Sequence, residues 1–469
     1  MDVNPFASAV LPTQPVAKWR AISALVAQRL GLDGAVRTSL ALRTTQLGLG
    51  ALAIVLLPRF LSPVEQGFYY TFSSLLGLQV IFELGLTGVI VQFAAHERAN
   101  LAWTHEGTLR GDPVASARLS SLLRFAVLWQ GAAALIMCAT LVPAGLVFFS
   151  WSPDSGFVPN WSGAWVWLVV ASAGTTVITS VLAVLEGCGL IQEVADCRLR
   201  QELFSQAVFW PLLYLDYDLP AMAAMQTARL VWLTLWLLHK YRNLLADLLR
   251  PGPVGLDWRS EIWPLQWRIG ASWLSGYLTV QVFNPVLFST QGAAAAGRMG
   301  MSLALATAVT TCAMVWITTK APLFGILIAK KRFYELDMSF KYAATQAVLV
   351  AALGATAIWF GVALLSRLGF SWSERVLSPA ALAALLAASV ISVLPYAQAV
   401  YLRAHKREPF LLLSILTGIA MLTTTVILSR EMGANGVAFG YLAVTIALPL
   451  AGGTAIFLDA RRRWHAEYL

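Results

Sequence analysis

The 469-residue sequence predicts an all-α, polytopic membrane protein. Three observations carry that prediction: an apolar composition, apolar runs of spanning length, and basic residues gathered on one side of the resulting topology. Hydrophobic residues make up 58% of the chain and charged residues 12%, with a mean hydropathy of +0.68. Soluble domains carry about 25% charged residues. An apolar surface of this extent needs lipid as its solvent, so the length reads as one helical bundle and not as a string of soluble domains.

A spanning helix needs about 20 apolar residues, because the hydrocarbon layer is about 30 Å thick and a helix rises about 1.5 Å per residue. Twelve segments satisfy this: 40–58, 68–93, 122–149, 163–185, 202–216, 219–239, 266–289, 296–318, 342–365, 378–402, 410–429 and 434–458. Residues 1–36 hold three prolines and a modestly amphipathic stretch from Lys18 to Leu30, with no signal-peptide pattern, and read as a cytoplasmic extension. The expected division is that extension, a six-helix lobe at 37–240, a cytoplasmic linker at 241–265, a second six-helix lobe at 266–460 and a basic cytoplasmic tail at 461–469.

Charge fixes the expected orientation. Placing both termini inside leaves only Arg59, Arg298, Arg367, Arg375 and Arg430 outside and Arg229 within a span; the rest of the 33 Lys and Arg fall inside. The net charge of +9 therefore reports membrane topology and not a nucleic-acid partner. Trp151, Trp161, Trp165, Trp258, Trp263, Trp267 and Trp372 lie near segment ends, as an interfacial belt would. A weak repeat places a basic residue, a tight outer turn at a glycine (Gly67, then Gly297) and a basic inner loop in each half, which suggests two pseudo-symmetric lobes around a central cavity.

No phosphate loop and no HExxH, GxSxG or paired-cysteine signature is present, so no catalytic role and no cofactor or metal is expected. The four cysteines read as buried free thiols and the five histidines as scattered loop residues. The informative residues are charges within the bilayer, each costing about 2.5–3.5 kcal/mol unless sheltered. Glu83 is expected in the cavity as a proton or cation site and Arg229 as an anion contact, or the two as a salt bridge. On the functional reading, Arg229→Ala abolishes transport and leaves abundance intact. Arg43, Arg268 and Lys320 near inner helix ends, with Arg298 at the outer start of helix eight, form a cationic set suited to phosphate or pyrophosphate. Asn284-Pro285 combines a polar amide with a helix-breaking imide mid-span, a candidate hinge.

Arg59-Phe60-Leu61-Ser62-Pro63-Val64-Glu65-Gln66-Gly67-Phe68-Tyr69 and Phe82-Glu83-Leu84-Gly85-Leu86 resemble two motifs of the polysaccharide and O-antigen flippases in the multidrug/oligosaccharidyl-lipid/polysaccharide exporter superfamily. Gly297-Arg298-Met299-Gly300-Met301, Pro322-Leu323-Phe324 and Lys330-Lys331-Arg332 are similar to that family's helix-eight region. The resemblance implies a flippase that moves an undecaprenyl-pyrophosphate-linked glycan across a bacterial inner membrane, with the lipid bilayer and the glycan polymerase machinery as candidate partners. Asn284 stands where many relatives carry an acid, which puts a carboxylate-dependent coupling scheme in doubt. The rival readings are a drug or metabolite cation antiporter of the same superfamily, a membrane-embedded glycan polymerase, ligase or acyltransferase, and a noncatalytic scaffold.

Overall fold

A computed structural model describes residues 34–104, 108–151, 160–248, 257–405 and 407–466. Of the expected extension only residues 34–36 are described, whereas the basic tail is described to residue 466 as the end of the last helix. The chain is almost entirely helical: α1 (Gly34–Phe60), α2 (Pro63–Leu76), α3 (Gln79–Glu83), α4 (Leu86–Arg98), α5 (Pro113–Ser150), α6 (Trp161–Gly187), α7 (Ile191–Tyr214), α8 (Asp218–Lys240) and α9 (Arg242–Leu248). After a π-turn at Trp258–Ile262 come α10 (Trp263–Val280), α11 (Phe283–Gln291), α12 (Ala293–Thr318), α13 (Ala321–Ala329), α14 (Phe333–Arg367), α15 (Pro379–Ala404), α16 (Leu411–Thr445) and α17 (Gly453–Ala466). A hairpin not expected from the sequence, β1 (Leu101–Trp103) against β2 (Leu109–Gly111), joins α4 to α5.

Among the described residues, eight helices are long and apolar enough to span a membrane, or nine if the bent pair Pro63–Glu83 and Leu86–Arg98 is one span. Each of the twelve segments read from sequence coincides with a helix or a broken helix. The breaks have local causes. Leu84 and Gly85 take left-handed backbone (φ 48° and 68°) between α3 and α4. Pro285 cannot donate to the carbonyl of residue 281, and α10 gives way to α11 at 281–282. Gly433 (φ 59°, ψ −143°) divides α16 into two arms.

Trp372 Nε1 donates to Ile54 O at 3.2 Å, which places the end of α14 beside the end of α1. The same carbonyl is freed from its helix by Pro58 four residues on, so the proline supplies the acceptor. At the other end of α14, Asp337 pairs with Arg461 on α17. The two ends of the described chain therefore lie on one face, called here the terminal face.

On the opposite face, helices α1–α8 and α10–α17 meet through α2 and α12. The motif around Ser62 caps α2 at both ends of a capping box: Glu65 N–H donates to Ser62 Oγ at 3.2 Å, and Ser62 N–H to Glu65 Oε2 at 2.8 Å. The next turn delivers Gly67 against backbone, where an added Cβ would stand 1.9 Å from Ala293 O. Gly297 faces Gly67 from α12. These glycines are not the outer turns the repeat suggested; the turns fall at 61–62 and at Gly292 (φ 86°), and Gly67 and Gly297 serve close helix approach instead. Gln66 Nε2 donates to Gly297 O (2.9 Å) and Arg375 O (3.3 Å) across the junction, and Phe68 meets Phe288 edge-on at 4.9 Å.

Trp165 is not an interfacial anchor. It is wholly buried and donates to Leu141 O at 3.2 Å. The cysteines are free as expected, but only Cys188 and Cys197 are buried, and Cys312 is exposed.

Candidate functional site

Two cavities adjoin between and within the halves, both lined by Gln46 of α1. The first, about 530 Å³, is a cleft between α1, α12 and α15, lined by Arg43, Gln46, Thr310, Thr311, Thr318 and Tyr396. Arg43 is exposed and makes no ion pair or hydrogen bond among the described residues. It is the sole charged residue of that lining among the described residues. Thr310 and Thr318 donate their hydroxyls to carbonyls one turn back on α12, which leaves their oxygens turned to the cleft as acceptors.

The second cavity, about 480 Å³, lies among α1, α2, α6, α7 and α8 and carries Gln46, Tyr69, Ser73, Gln206, Gln226 and the pair Glu202–Arg229. Arg229 Nη2 contacts both oxygens of Glu202, at 2.9 and 3.2 Å, and Arg229 Nε donates to Ser205 Oγ at 3.3 Å. Arg229 thus has a salt-bridge partner, but the partner is Glu202 of α7 and not Glu83. The sequence reading put Glu202 at the edge of its shortest segment. The structure continues that helix back to Ile191, and Glu202 sits well inside it, on the turn that also carries Ser205. The acidic and basic residues ahead of position 202 are the signal that the helix began earlier.

Glu83 ends α3 at the break, partly buried, and lines neither cavity. It has no hydrogen bond or ion pair among the described residues. Gly270 of α10 packs against Leu84 beside it. Arg298 lies on the opposite face in a separate pocket of about 590 Å³ with Glu374, Trp359 and Asn435. Lys320 is exposed at the start of α13, on the terminal side. Arg268 belongs to α10, and its side chain is outside the described residues. Among the members whose side chains are described, Arg43, Arg298 and Lys320 do not form one cluster, and of these three Arg43 lines the cleft.

Asn284 is 4% exposed and donates from Nδ2 to Ser74 Oγ at 2.9 Å, while Tyr277 OH donates to Ser74 O at 3.0 Å. These bonds tie α2 to α10 and α11 at the Asn284-Pro285 break. Asn284 Oδ1 is buried without a partner.

Sequence reasoning missed an ion link between the first half and the π-turn that leads into α10. On the terminal face, Arg118 of α5 donates to Glu97 Oε1 of α4 at 2.8 Å and to Glu261 Oε2 of the π-turn at 2.6 Å. It also missed that two histidines converge: the rings of His405 and His465 lie 6.2 Å apart, with His465 stacked on Phe333. Among the described residues no group of three or more His, Cys, Asp or Glu could hold a metal ion.

No protein-family model matches the sequence, and no curated protein matches it. Solved structures do match. An outward-facing multidrug resistance MATE family transporter of the MOP superfamily aligns with a TM-score of 0.54 at 16% identity over 92% of this chain and 96% of its own. The Vibrio cholerae MATE transporter VcmN aligns with a TM-score of 0.53 at 14% identity, over 95% and 98%. The lipid II flippase MurJ in an inward closed conformation aligns with a TM-score of 0.57 at 10% identity, over 88% and 87%. At such identities the likeness establishes the fold, an all-α polytopic membrane architecture shared with these transporters.

Proposed function

We propose that this chain is a flippase of the MOP type that carries a polyprenyl-pyrophosphate-linked glycan across a bacterial inner membrane, with both termini cytoplasmic. Two six-helix lobes, 37–240 and 266–460, rock about the Asn284-Pro285 break. The cleft takes the pyrophosphate, the adjoining cavity takes sugars through its amides and hydroxyls, and the tail stays in lipid.

One observation carries this reading: among the described residues Arg43 is an uncompensated cation in the cleft, while the charges lining the adjoining cavity, Glu202 and Arg229, offset each other. The two linings together therefore favour an anion. A cation antiporter would use an uncompensated carboxylate facing the substrate, and neither lining holds one among the described residues. Nor does either cavity hold a nucleophile–base constellation of the kind a polymerase, ligase or acyltransferase needs.

The test is reconstitution in liposomes with a fluorescent polyprenyl-pyrophosphate glycan. A hydrogen bond to a charged group is worth about 1.5–3 kcal/mol, so Arg43→Gln should slow translocation by about ten- to a hundredfold while leaving abundance unchanged. Translocation at the wild-type rate would sink the proposal. Arg229→Ala should behave differently, since it strands Glu202: abundance and transport fall together, and exchanging the pair (Arg229→Glu with Glu202→Arg) restores both.

A further inference from the structure

A groove of about 660 Å³ runs up the outside of the second half between α14 and α17, with Leu394 of α15 in its wall. Its chemistry is graded along its length. At the terminal-face end stand Lys341 and the pair Asp337–Arg461; farther in, the lining is Ala344, Val348, Leu349 and Leu394 over buried Phe340 and Phe457. Residues 341, 345, 348 and 349 follow helical spacing on one face of α14. From Lys341 to Leu349 a helix rises about 12 Å, which fits within the roughly 15 Å of hydrocarbon in one leaflet.

Charge at the polar end is positive on balance. Arg461 Nε reaches both oxygens of Asp337, at 3.1 and 3.0 Å, and Tyr401 OH donates to Asp337 Oδ1 at 2.8 Å, so the carboxylate is fully engaged. Arg461 keeps its Nη1 donors, and Lys341 is exposed with no ion pair among the described residues. A cation at head-group depth above an apolar channel has the polarity profile of one phospholipid molecule. A neutral zwitterionic head would leave the excess charge unmatched, whereas a phosphate-bearing anionic head would match it.

We propose that this groove binds one anionic phospholipid of the leaflet on the terminal face, the phosphate on Lys341 and Arg461 and an acyl chain along α14. The site is independent of the cleft and of what the cleft carries.

The test measures the thermal unfolding midpoint of the purified full chain in detergent with added phosphatidylglycerol, phosphatidylcholine or inorganic phosphate. Phosphatidylglycerol should raise the midpoint by several degrees and the other two should not. Lys341→Glu should abolish the rise, Thr345→Trp, which fills the apolar channel without changing charge, should reduce it, and Lys330→Glu, a charge reversal outside the groove, should leave it intact. An equal rise with phosphatidylcholine, a rise reproduced by phosphate alone, or a full response in Lys341→Glu would each overturn the assignment.

Discussion

The two halves touch at both faces of the molecule, and the two junctions are made of different material. On the opposite face they meet backbone to backbone, Gly67 against Ala293 and Gly297, within a core continuous from Phe68 to Phe288. On the terminal face a charged side chain, Arg118, joins Glu97 of α4 to Glu261 of the π-turn that leads into the second half, and that turn is built into the first half's own core, which runs from Leu86 to Ile262. Close apolar packing has one good geometry and resists partial separation. An ion bridge whose members are 27% and 32% exposed at Arg118 and Glu261 can exchange its partners for water at small cost. A molecule built this way has a firm closure on one side and a soluble one on the other, an asymmetry suited to opening first toward the terminal face.

The largest effect should come from Gly67→Val. A branched side chain cannot share space with Ala293 O, so α12 must retreat by more than an ångström, at a cost of about 1–3 kcal/mol in overpacking. That shifts the closed-to-open ratio by about ten- to a hundredfold. With the native cysteines replaced and a cysteine at Met301, which is 1% exposed, a membrane-impermeant maleimide added opposite the termini should label the variant at least tenfold faster than the parent. Equal labelling would show that the glycine contact is not the closure.

How much of this junction was legible beforehand follows from what kinds of force made it. Composition is a bulk property of the membrane problem, so the all-α polytopic class could be read from residues alone. Gly67 and Gly297 also stood out, but as turns, because in one dimension a glycine at a helix start looks the same whether it bends the chain or admits a neighbour 230 positions away. The Asn284-Pro285 break was readable because proline acts on its own helix. Arg118 was not, since its partners lie 21 and 143 residues off and nothing local distinguishes it from other loop cations. The same gap hid Glu202 as the partner of Arg229 and set Arg43, Arg298 and Lys320 apart, of which Arg43 lines the cleft.

A smaller effect is expected at the ion bridge. Arg118→Gln removes two contacts of which only Glu97 is well buried, a loss of about 1–2 kcal/mol after allowance for exposure. Spin labels at Val114 and Ser260, one on each side of the bridge, should give a broader and longer distance distribution in the variant. Raising the salt from 0.15 to 1 M shortens the screening length from about 8 to about 3 Å and should move the wild type the same way. A distribution insensitive to both changes would mean that packing, not charge, holds this face, and the contrast between the junctions would fail.

The smallest effect tests whether the terminal face carries a second electrostatic weakness away from the bridge. His405, just beyond α15, is held down to about 4 by burial first and then by the charges of His465 and Arg407. Its ring lies 5.0 Å from Trp464 and 5.4 Å from Tyr401, and its Nε2 is buried without a partner among the described residues. A histidine held below its ordinary value binds its proton more weakly folded than unfolded. Stability is therefore full above about pH 6.5 and is lost as pH falls toward 4. At about 1.4 kcal/mol per pH unit the difference would approach about 3 kcal/mol, and partial exposure of the ring reduces it to about 1 kcal/mol. The unfolding midpoint of the wild type should fall between pH 6.5 and 4.5 by more than that of His405→Gln, which keeps a polar ring-sized side chain but cannot charge. Parallel curves for the two proteins would show that His405 carries none of the acid sensitivity, and the second weakness proposed for this face would fall.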